Sequence, residues 1–334
     1  MELLSEIGGY FGLDLSDHGD AFPAAIKFQS GRAALRAVLE SAAITRFLLP
    51  AYICDSVIKA AIDAGAVVET YCLDDSLYPK GLPDPLPSKS AVLYVNYFGL
   101  CGANISRLLE AIPGHRLIID NSQALFTLPG NELATIYSPR KFVGVPDGGL
   151  LVTAGLEIRV PDCEDTGSVD RMRHLLVRMA YTAQAGYGNY LESESSLSDT
   201  RPLRMSRLTK RILAAIDMTA VKRRRRENFI ALASGLDKYN SSRCELDAES
   251  VPLCYPLIVG WDVGLLQKHL LRKGIYIPTY WPEVRSRAFD GIEHQLASCC
   301  LPVPCDQRYS PDQMSYLADE IASGLDKTRR ESNV

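Results

Sequence analysis

Leu117-Ile118-Ile119-Asp120-Asn121-Ser122-Gln123-Ala124 and then Tyr137-Ser138-Pro139-Arg140-Lys141-Phe142-Val143-Gly144-Val145-Pro146-Asp147-Gly148-Gly149 decide how the fold of this chain is read. Three apolar residues closed by an acid predict a buried strand with a carboxylate at its mouth. Such a carboxylate is costly unless a cation pairs with it. Lys141 follows in a loop bounded by Pro139 and by Gly148-Gly149, ahead of another apolar run, Leu150-Leu151-Val152.

Upstream, strand and helix signals alternate. Residues 31–41 predict a helix with Ser30 as its N-cap. Phe47-Leu48-Leu49 predicts a short buried strand ended by Pro50. Ile53, Val57, Ala61 and Ala64 recur at helical spacing until Gly65. Residues 67–71 resume extended structure, and 78–88, with four prolines, form a loop. Residues 91–97 and 116–119 are two more strands, bridged by a helix around 105–111. This alternation argues for βαβ units and a mostly parallel sheet, whose ligands gather at the carboxyl ends of strands. Asp120 lies at one such end.

Downstream, residues 171–183 predict a helix, 186–199 an exposed polar loop, and 205–236 one long helix with an apolar stripe. Residues 252–259 predict a strand, 263–273 a helix and 275–277 a further strand. Ser310-Pro311-Asp312 caps a last helix reaching about Gly324, beyond which the charged end frays. The expected architecture is α/β. A large domain over 1–204 holds a mostly parallel central sheet, and the long helix opens a smaller α+β domain over 205–334.

A net charge of −4 over 334 residues gives no general attraction to nucleic acid or to anionic membrane. No apolar run approaches the length of a membrane span, and residues 1–7 carry neither the basic nor the apolar region of a signal peptide. A cytoplasmic chain without nucleic-acid or membrane partners is expected. Nine cysteines are too sparse for a disulfide framework. The closest group, Cys299, Cys300 and Cys305, lacks zinc-knuckle spacing, so no metal is expected. The basic run 222–226 wraps more than one helical turn and cannot form a single nucleic-acid-facing stripe. A solvated or dimer-facing segment is expected there.

Four local features point to one cofactor. Ser30-Gly31-Arg32-Ala33-Ala34 opens a helix with small residues, a seat for phosphate. Asp120, with Gln123 three residues on, would hold a pyridine nitrogen protonated. Lys141 supplies an amine able to form a Schiff base. Asp147-Gly148-Gly149 turns the chain back into a strand. Together they suit pyridoxal 5'-phosphate.

The order of these motifs resembles the DegT/DnrJ-type sugar aminotransferases. Ser-Gly-Arg-Ala-Ala-Leu (30–35) is similar to that family's Ser-Gly-Thr-Ala-Ala-Leu, Leu49-Pro50-Ala51-Tyr52 to its Pro-Ser-Phe strand end, and Asn96-Tyr97-Phe98-Gly99 to its His-Leu-Tyr-Gly turn. Ile119-Asp120-Asn121-Ser122-Gln123-Ala124 resembles Glu-Asp-Ala-Ala-Gln-Ala. Pro139-Arg140-Lys141 with the later Gly-Gly resembles the Schiff-base lysine loop. Arg204-Met205-Ser206, Arg224-Arg225-Arg226-Glu227-Asn228 and Leu301-Pro302-Val303-Pro304 resemble further family segments. The resemblance covers about residues 25–325 and implies a fold type I pyridoxal-phosphate transferase. It also implies a homodimer with shared active sites, an amino-acid donor, glutamate in particular, and a nucleotide-linked keto-sugar acceptor in cell-surface polysaccharide or secondary-metabolite biosynthesis.

The resemblance implies Lys141 and Asp120 as catalytic residues, with Ser30, Gly31, Arg32, Tyr52, Asn96, Gln123 and Ser138 joining them around the cofactor. Ile136 stands where the family has a phosphate-binding Ser, with Thr135 or Ser138 as substitutes. Pro202 and Leu203 stand at its Asn-Tyr. Arg32 replaces the Thr of the phosphate loop and Arg201 lies beside the lost Asn, so an arginine is expected to take over phosphate charge. Cys54 aligns with the ring-stacking aromatic, which leaves Tyr52 as the replacement. Sugar dehydratases related to the family carry His in place of the lysine, and Lys141 argues against that branch. Lyase-type chemistry on an amino acid, or a non-catalytic regulatory protein on the same fold, are the alternatives.

Overall fold

The computed structural model describes residues 9–288 and 290–331, with side chains to 327. Residues 1–7, read above for a targeting signal, and the last three residues lie outside the described residues.

Eight strands form the main sheet. In chain order they are β1 (Ile26–Phe28), β2 (Arg46–Pro50), β3 (Val67–Leu73), β4 (Pro79–Lys80), β5 (Ser90–Val95), β6 (Leu117–Asn121), β7 (Ala134–Tyr137) and β8 (Gly149–Thr153). They are arranged β1-β8-β7-β6-β5-β2-β3-β4. The central strands β3, β2, β5, β6 and β7 run parallel, while β8, β1 and β4 join by antiparallel pairs. Every residue of β5 and β6 is buried, the pattern of parallel strands covered on both faces. Helices α1 (Gly31–Ser41), α2 (Asp55–Asp63) and α3 (Gly102–Ala111) make the crossovers from β1 to β2, β2 to β3 and β5 to β6. Helix α1 keeps the bounds its sequence predicts, because Ser30 Oγ accepts from Ala33 N at 3.2 Å and stops the chain from extending the turn backwards.

The middle of the chain departs from expectation. Helices α4 (Ser168–Arg171) and α5 (Arg173–Ala180) stand where a single helix was predicted. Helix α6 (Tyr187–Ser196) replaces the predicted polar loop. Its Gly- and Ser-rich sequence has low helix propensity, and tertiary contacts hold it instead. The Glu194 carboxylate pairs with Arg140, Arg32 Nη1 donates to Leu197 O at 2.8 Å, and the Tyr190 ring lies 5.8 Å from that of His174. The predicted helix over 205–236 is two, α7 (Arg207–Ala214) and α8 (Met218–Leu236). The apolar stripe runs through the break, but Asp217 Oδ1 accepts from Ala220 N at 2.9 Å and caps a new helix there.

A second, antiparallel sheet pairs β9 (Cys254–Ile258) with β10 (Cys300–Pro304), accompanied by α9 (Gly264–Arg272), α10 (Gly291–Ser298) and α11 (Pro311–Glu331). Residues 275–277 form no strand. Ile275 N turns back to Leu270 O at 3.0 Å, and Pro278, just beyond, has no N–H to offer a ladder. Helix α11 runs past Gly324 to Glu331, opened by a reciprocal pair in which Ser310 N donates to Gln313 Oε1 and Gln313 N to Ser310 Oγ.

One buried apolar cluster runs from Phe28 on the main sheet to Leu325 on α11, so the core is continuous across position 204/205. There the chain crosses back over the sheet edge: Arg204 bridges Phe28, and Met205 N donates to Lys27 O at 3.0 Å. Among the described residues no helix is long and apolar enough to cross a membrane, and no group of three or more His, Cys, Asp or Glu is placed to hold a metal.

The basic run on α8 is not uniformly solvated. Arg225 is 2% exposed. Its Nη1 donates to Leu253 O (3.0 Å) and Pro252 O (3.3 Å), and its Nη2 to Phe142 O (3.0 Å). Desolvation pushes its pKa below the ordinary value for arginine.

Candidate active site

A cavity of about 550 Å³ opens at the carboxyl ends of β6 and β7, within the size range of small-molecule sites. Asp120, Gln123, Ser138 and Lys141 line it, together with Ser30, Gly31 and Arg32 at the amino end of α1. Asp120 lies in register between Val95 of β5 and Ile136 of β7. It is 8% exposed, and Oδ1 accepts from Ser122 N at 2.8 Å. Among the described residues no cation pairs with it. Lys141 is accessible and forms no ion pair among the described residues. Its Nζ donates to Ser122 Oγ at 3.0 Å, so Ser122 ties acid and amine together through backbone and side chain.

The loop carrying Lys141 is held from behind. Pro139–Lys141 is a single 3₁₀ turn leaving β7. The next carbonyl, Phe142 O, accepts from Arg225 and from Gln307 Nε2 at 2.8 Å, and the Arg225 guanidinium lies 4.5 Å from the Phe142 ring centroid. Further along, Asp147 is fully buried. Its Oδ2 accepts from Arg171 Nε (3.1 Å), Arg171 Nη2 (2.9 Å) and Ser168 Oγ, and its Oδ1 from Thr209 Oγ1. This acid therefore fastens the loop to α4 and α7.

Gly149 explains the Gly-Gly. A Cβ on it would meet Ser30 C and O at 2.2 Å, so β8 passes the helix cap at backbone contact. Gly148 adds a φ of +127° and donates its N–H to Gln29 O at 2.8 Å. Gly149→Ala must push Ser30 outward and distort the amino end of α1. The expected result is a cost of about 2–3 kcal/mol in unfolding free energy, checked by denaturant unfolding.

Not every residue expected at the site reaches it. Tyr52 is buried and outside the cavity wall. Its hydroxyl donates to Tyr280 O at 3.5 Å, and its ring packs edge-on against Trp281 at 4.7 Å. The residue that aligns with the family's stacking aromatic, Cys54, does line the cavity, and the aromatic surface comes instead from Tyr190, Tyr280 and Trp281. Asn96 is also outside the wall: its Oδ1 accepts from Cys101 N (2.9 Å), and its Nδ2 donates to Asn121 Oδ1 (3.2 Å) and Thr127 Oγ1 (3.4 Å). Gln123 splits its roles, accepting from Phe98 N at 2.7 Å through Oε1. Its Nε2 has no partner among the described residues.

Strand alternation settles which neighbour of Ile136 shares its face. Ile136 and Ser138 both line the cavity, whereas Thr135 is buried on the opposite side against the Glu132 carboxylate. Arg201 is exposed and paired with Asp199, away from the cavity, while Arg32 and Arg140 line it. Glu194 and Ser122 were missed by sequence reasoning. The signal for Ser122 was present in its place between Asp120 and Gln123. Glu194 lay in the segment read as a loop.

Comparison with solved structures then places the architecture. The sugar aminotransferase CalS13 from Micromonospora echinospora superposes with a TM-score of 0.60 at 16% identity, covering 90% of this chain and 88% of that one. The chain has the sugar-aminotransferase fold. A DegT DnrJ EryC1 StrS aminotransferase from Brucella abortus gives 0.59 at 17% identity, covering 90% and 85%. A GDP-4-keto-6-deoxymannose-3-dehydratase, solved with a trapped PLP-glutamate geminal diamine, gives 0.62 at 16% identity, covering 89% and 88%. No protein-family model and no curated protein matches the chain.

Proposed function

We propose that the chain is a pyridoxal-phosphate-dependent aminotransferase of the DegT/DnrJ type. It would move an amino group from an amino acid, with glutamate as donor, to a keto-sugar, nucleotide-linked, for polysaccharide or secondary-metabolite sugars. One observation carries the reading. Asp120 is a buried carboxylate without a cationic partner among the described residues, and it faces the same cavity as an accessible, unpaired Lys141. A buried unpaired carboxylate is costly, and a protonated ring nitrogen is the partner that would relieve it. The donor set fits the cofactor at its other end as well. Ser30, Gly31 and Arg32 at the amino end of α1 line the cavity, where first-turn N–H groups have no intrahelical acceptor, and Arg140 lines it with them.

Bound pyridoxal phosphate supplies an aldehyde for an amine to condense with and a ring that withdraws electrons from the donor Cα. The rest of the chemistry falls to the chain. Lys141 Nζ is the nucleophile and afterwards the group that carries a proton from the donor Cα, with Ser122 Oγ holding the amine in place between these tasks. Asp120 holds the positive charge at the ring nitrogen, its orientation fixed by Ser122 N. The free Nε2 of Gln123 is available to a ring oxygen. Burial, then the neighbouring Glu194 carboxylate, pushes the Tyr190 phenol above its ordinary pKa, so it remains a hydrogen-bond donor for a sugar hydroxyl.

On this reading residues 1–204 hold the cofactor, while 205–334 contribute the Tyr280-Trp281 wall facing the acceptor. A homodimer is part of the proposal. Val169, Leu176, Met179, Tyr181 and Leu191 of the α4–α6 region, next to the cavity, are exposed large hydrophobics of the kind a subunit interface covers. A cytoplasmic location is supported by nine free cysteines. The lysine at 141, where the related dehydratases carry His, favours transfer over dehydration.

The test is Asp120→Asn. An amide cannot balance a ring cation, and transamination is expected to fall by about 10²–10³-fold while cofactor still attaches. Glutamate-dependent amination of a keto-sugar panel provides the assay. Unchanged turnover in the variant, or elimination products without amino transfer in the wild type, would count against the proposal.

A further inference from the structure

Glu194 touches neither reacting group, yet it stands in the positive end of the cavity. Oε1 of this carboxylate accepts from Arg140 Nη2, and Oε2 lies 3.8 Å from Arg32 Nη2. The Arg140 and Arg32 side chains are 15% and 21% exposed, and that of Glu194 is 33% exposed. Arg32 also donates through Nη1 to Leu197 O, at the carboxyl end of the helix that bears Glu194. Two guanidinium groups beside the amino end of α1 thus gather positive charge at one place, and the carboxylate that meets it comes from α6.

We propose that Glu194 is an internal counter-ion for the phosphate seat, a carboxylate that occupies the arginine pair until a phosphate group displaces it. The inference rests on the pyridoxal-phosphate reading. The physical argument is one of competition. Arg32 and Arg140 repel each other when no anion lies between them, and a carboxylate on a helix held nearby relieves that at small entropic cost. A phosphate monoester brings more negative charge and three acceptor oxygens, which serve the guanidinium groups and the positive amino end of α1 together. It therefore takes over the arginines, and Glu194 turns out toward solvent. A ligand without phosphate has nothing to trade for the carboxylate. The exchange makes the seat selective for the phosphorylated form of the cofactor. It also links its arrival to the loosening of α6, which carries Tyr190 in the cavity wall.

The test compares the full-length wild type with Glu194→Gln and Glu194→Ala, and with Glu192→Gln, an exposed acid on the same helix, as control. Pyridoxal phosphate, inorganic phosphate and unphosphorylated pyridoxal are each titrated, read by tryptophan fluorescence, to which Trp281 in the cavity wall contributes, and by the shift in thermal unfolding. Both Glu194 variants are expected to bind pyridoxal phosphate and inorganic phosphate about tenfold more tightly than the wild type. Pyridoxal affinity stays the same in all four proteins, and Glu192→Gln matches the wild type. Equal or weaker phosphate binding in both Glu194 variants overturns the proposal, because Glu194 is then a fixed structural partner of the arginines. If pyridoxal phosphate binds every variant equally, the counter-ion falls and the cofactor reading stands. If inorganic phosphate binding tightens in the variants while pyridoxal phosphate never attaches to Lys141 in any protein, the cofactor reading falls and the counter-ion stands.

Discussion

Lys141→Ala is expected to abolish covalent cofactor attachment, so that the visible absorption band formed by the wild type with pyridoxal phosphate, and bleached by glutamate, is absent. Transamination should fall by about four orders of magnitude, since the proposed mechanism makes one side chain both nucleophile and proton carrier. The fold should be indifferent. Lys141 is accessible, and its amine makes one hydrogen bond, to Ser122 Oγ. Stability should stay within about 0.5 kcal/mol of the wild type. The combination makes the experiment decisive: an unchanged unfolding curve with a missing band assigns the loss to chemistry. A variant that retains both the band and turnover would remove Lys141 from the proposed role, and a wild type that forms no band would remove the enzyme reading.

The second large effect is on stability. Asp147→Ala should cost about 3–5 kcal/mol, because it strands the buried Arg171 guanidinium and the hydroxyls of Ser168 and Thr209. Asp165, also paired with Arg171, keeps part of the charge balance and sets the loss toward the lower end. Denaturant unfolding should show a lower midpoint at constant slope. Asp147→Asn should fall between the two, and adding Arg171→Met to Asp147→Ala should recover part of the loss by removing the stranded charge. Activity at temperatures well below unfolding should survive better than stability, since Asp147 does not line the cavity.

The sheet was readable where local chemistry and tertiary structure agree. The runs at 47–49, 67–71 and 116–119 fall on strands, and Ser30 caps its helix, because a short strand-forming run and a capping hydroxyl need no distant partner to show what they do. The meeting of Asp120 and Lys141 at one cavity was readable for the same reason, as a strand-end acid and a loop lysine. What escaped depends on residues far apart in the chain. Helix α6 is secured by Arg32 and Arg140, more than fifty residues upstream. The break at Asp217 interrupts an apolar stripe that itself carries no sign of stopping. Asn96 and Tyr52 are polar enough to suit a ligand, but Cys101 N, Asn121 and Thr127 claim the first, and Tyr280 O and Trp281 the second. The composition of Asp147-Gly148-Gly149 announced a turn and concealed a buried anchor beside it.

The run Lys222-Arg223-Arg224-Arg225-Arg226 looks interchangeable from one position to the next, yet the fold makes its members unequal under genetic drift. Among the described residues Arg223 and Arg224 pair with Glu227 alone, at 3.7 and 3.5 Å. Another cation, or none, would serve there. Arg225 grips carbonyls from two distant stretches, Phe142 beside the lysine loop and Pro252-Leu253 before β9. A lysine ammonium, a single point of donors, cannot span them as a planar fork does. Of two adjacent arginines written with the same letter, one is free to wander through evolutionary time and the next is pinned.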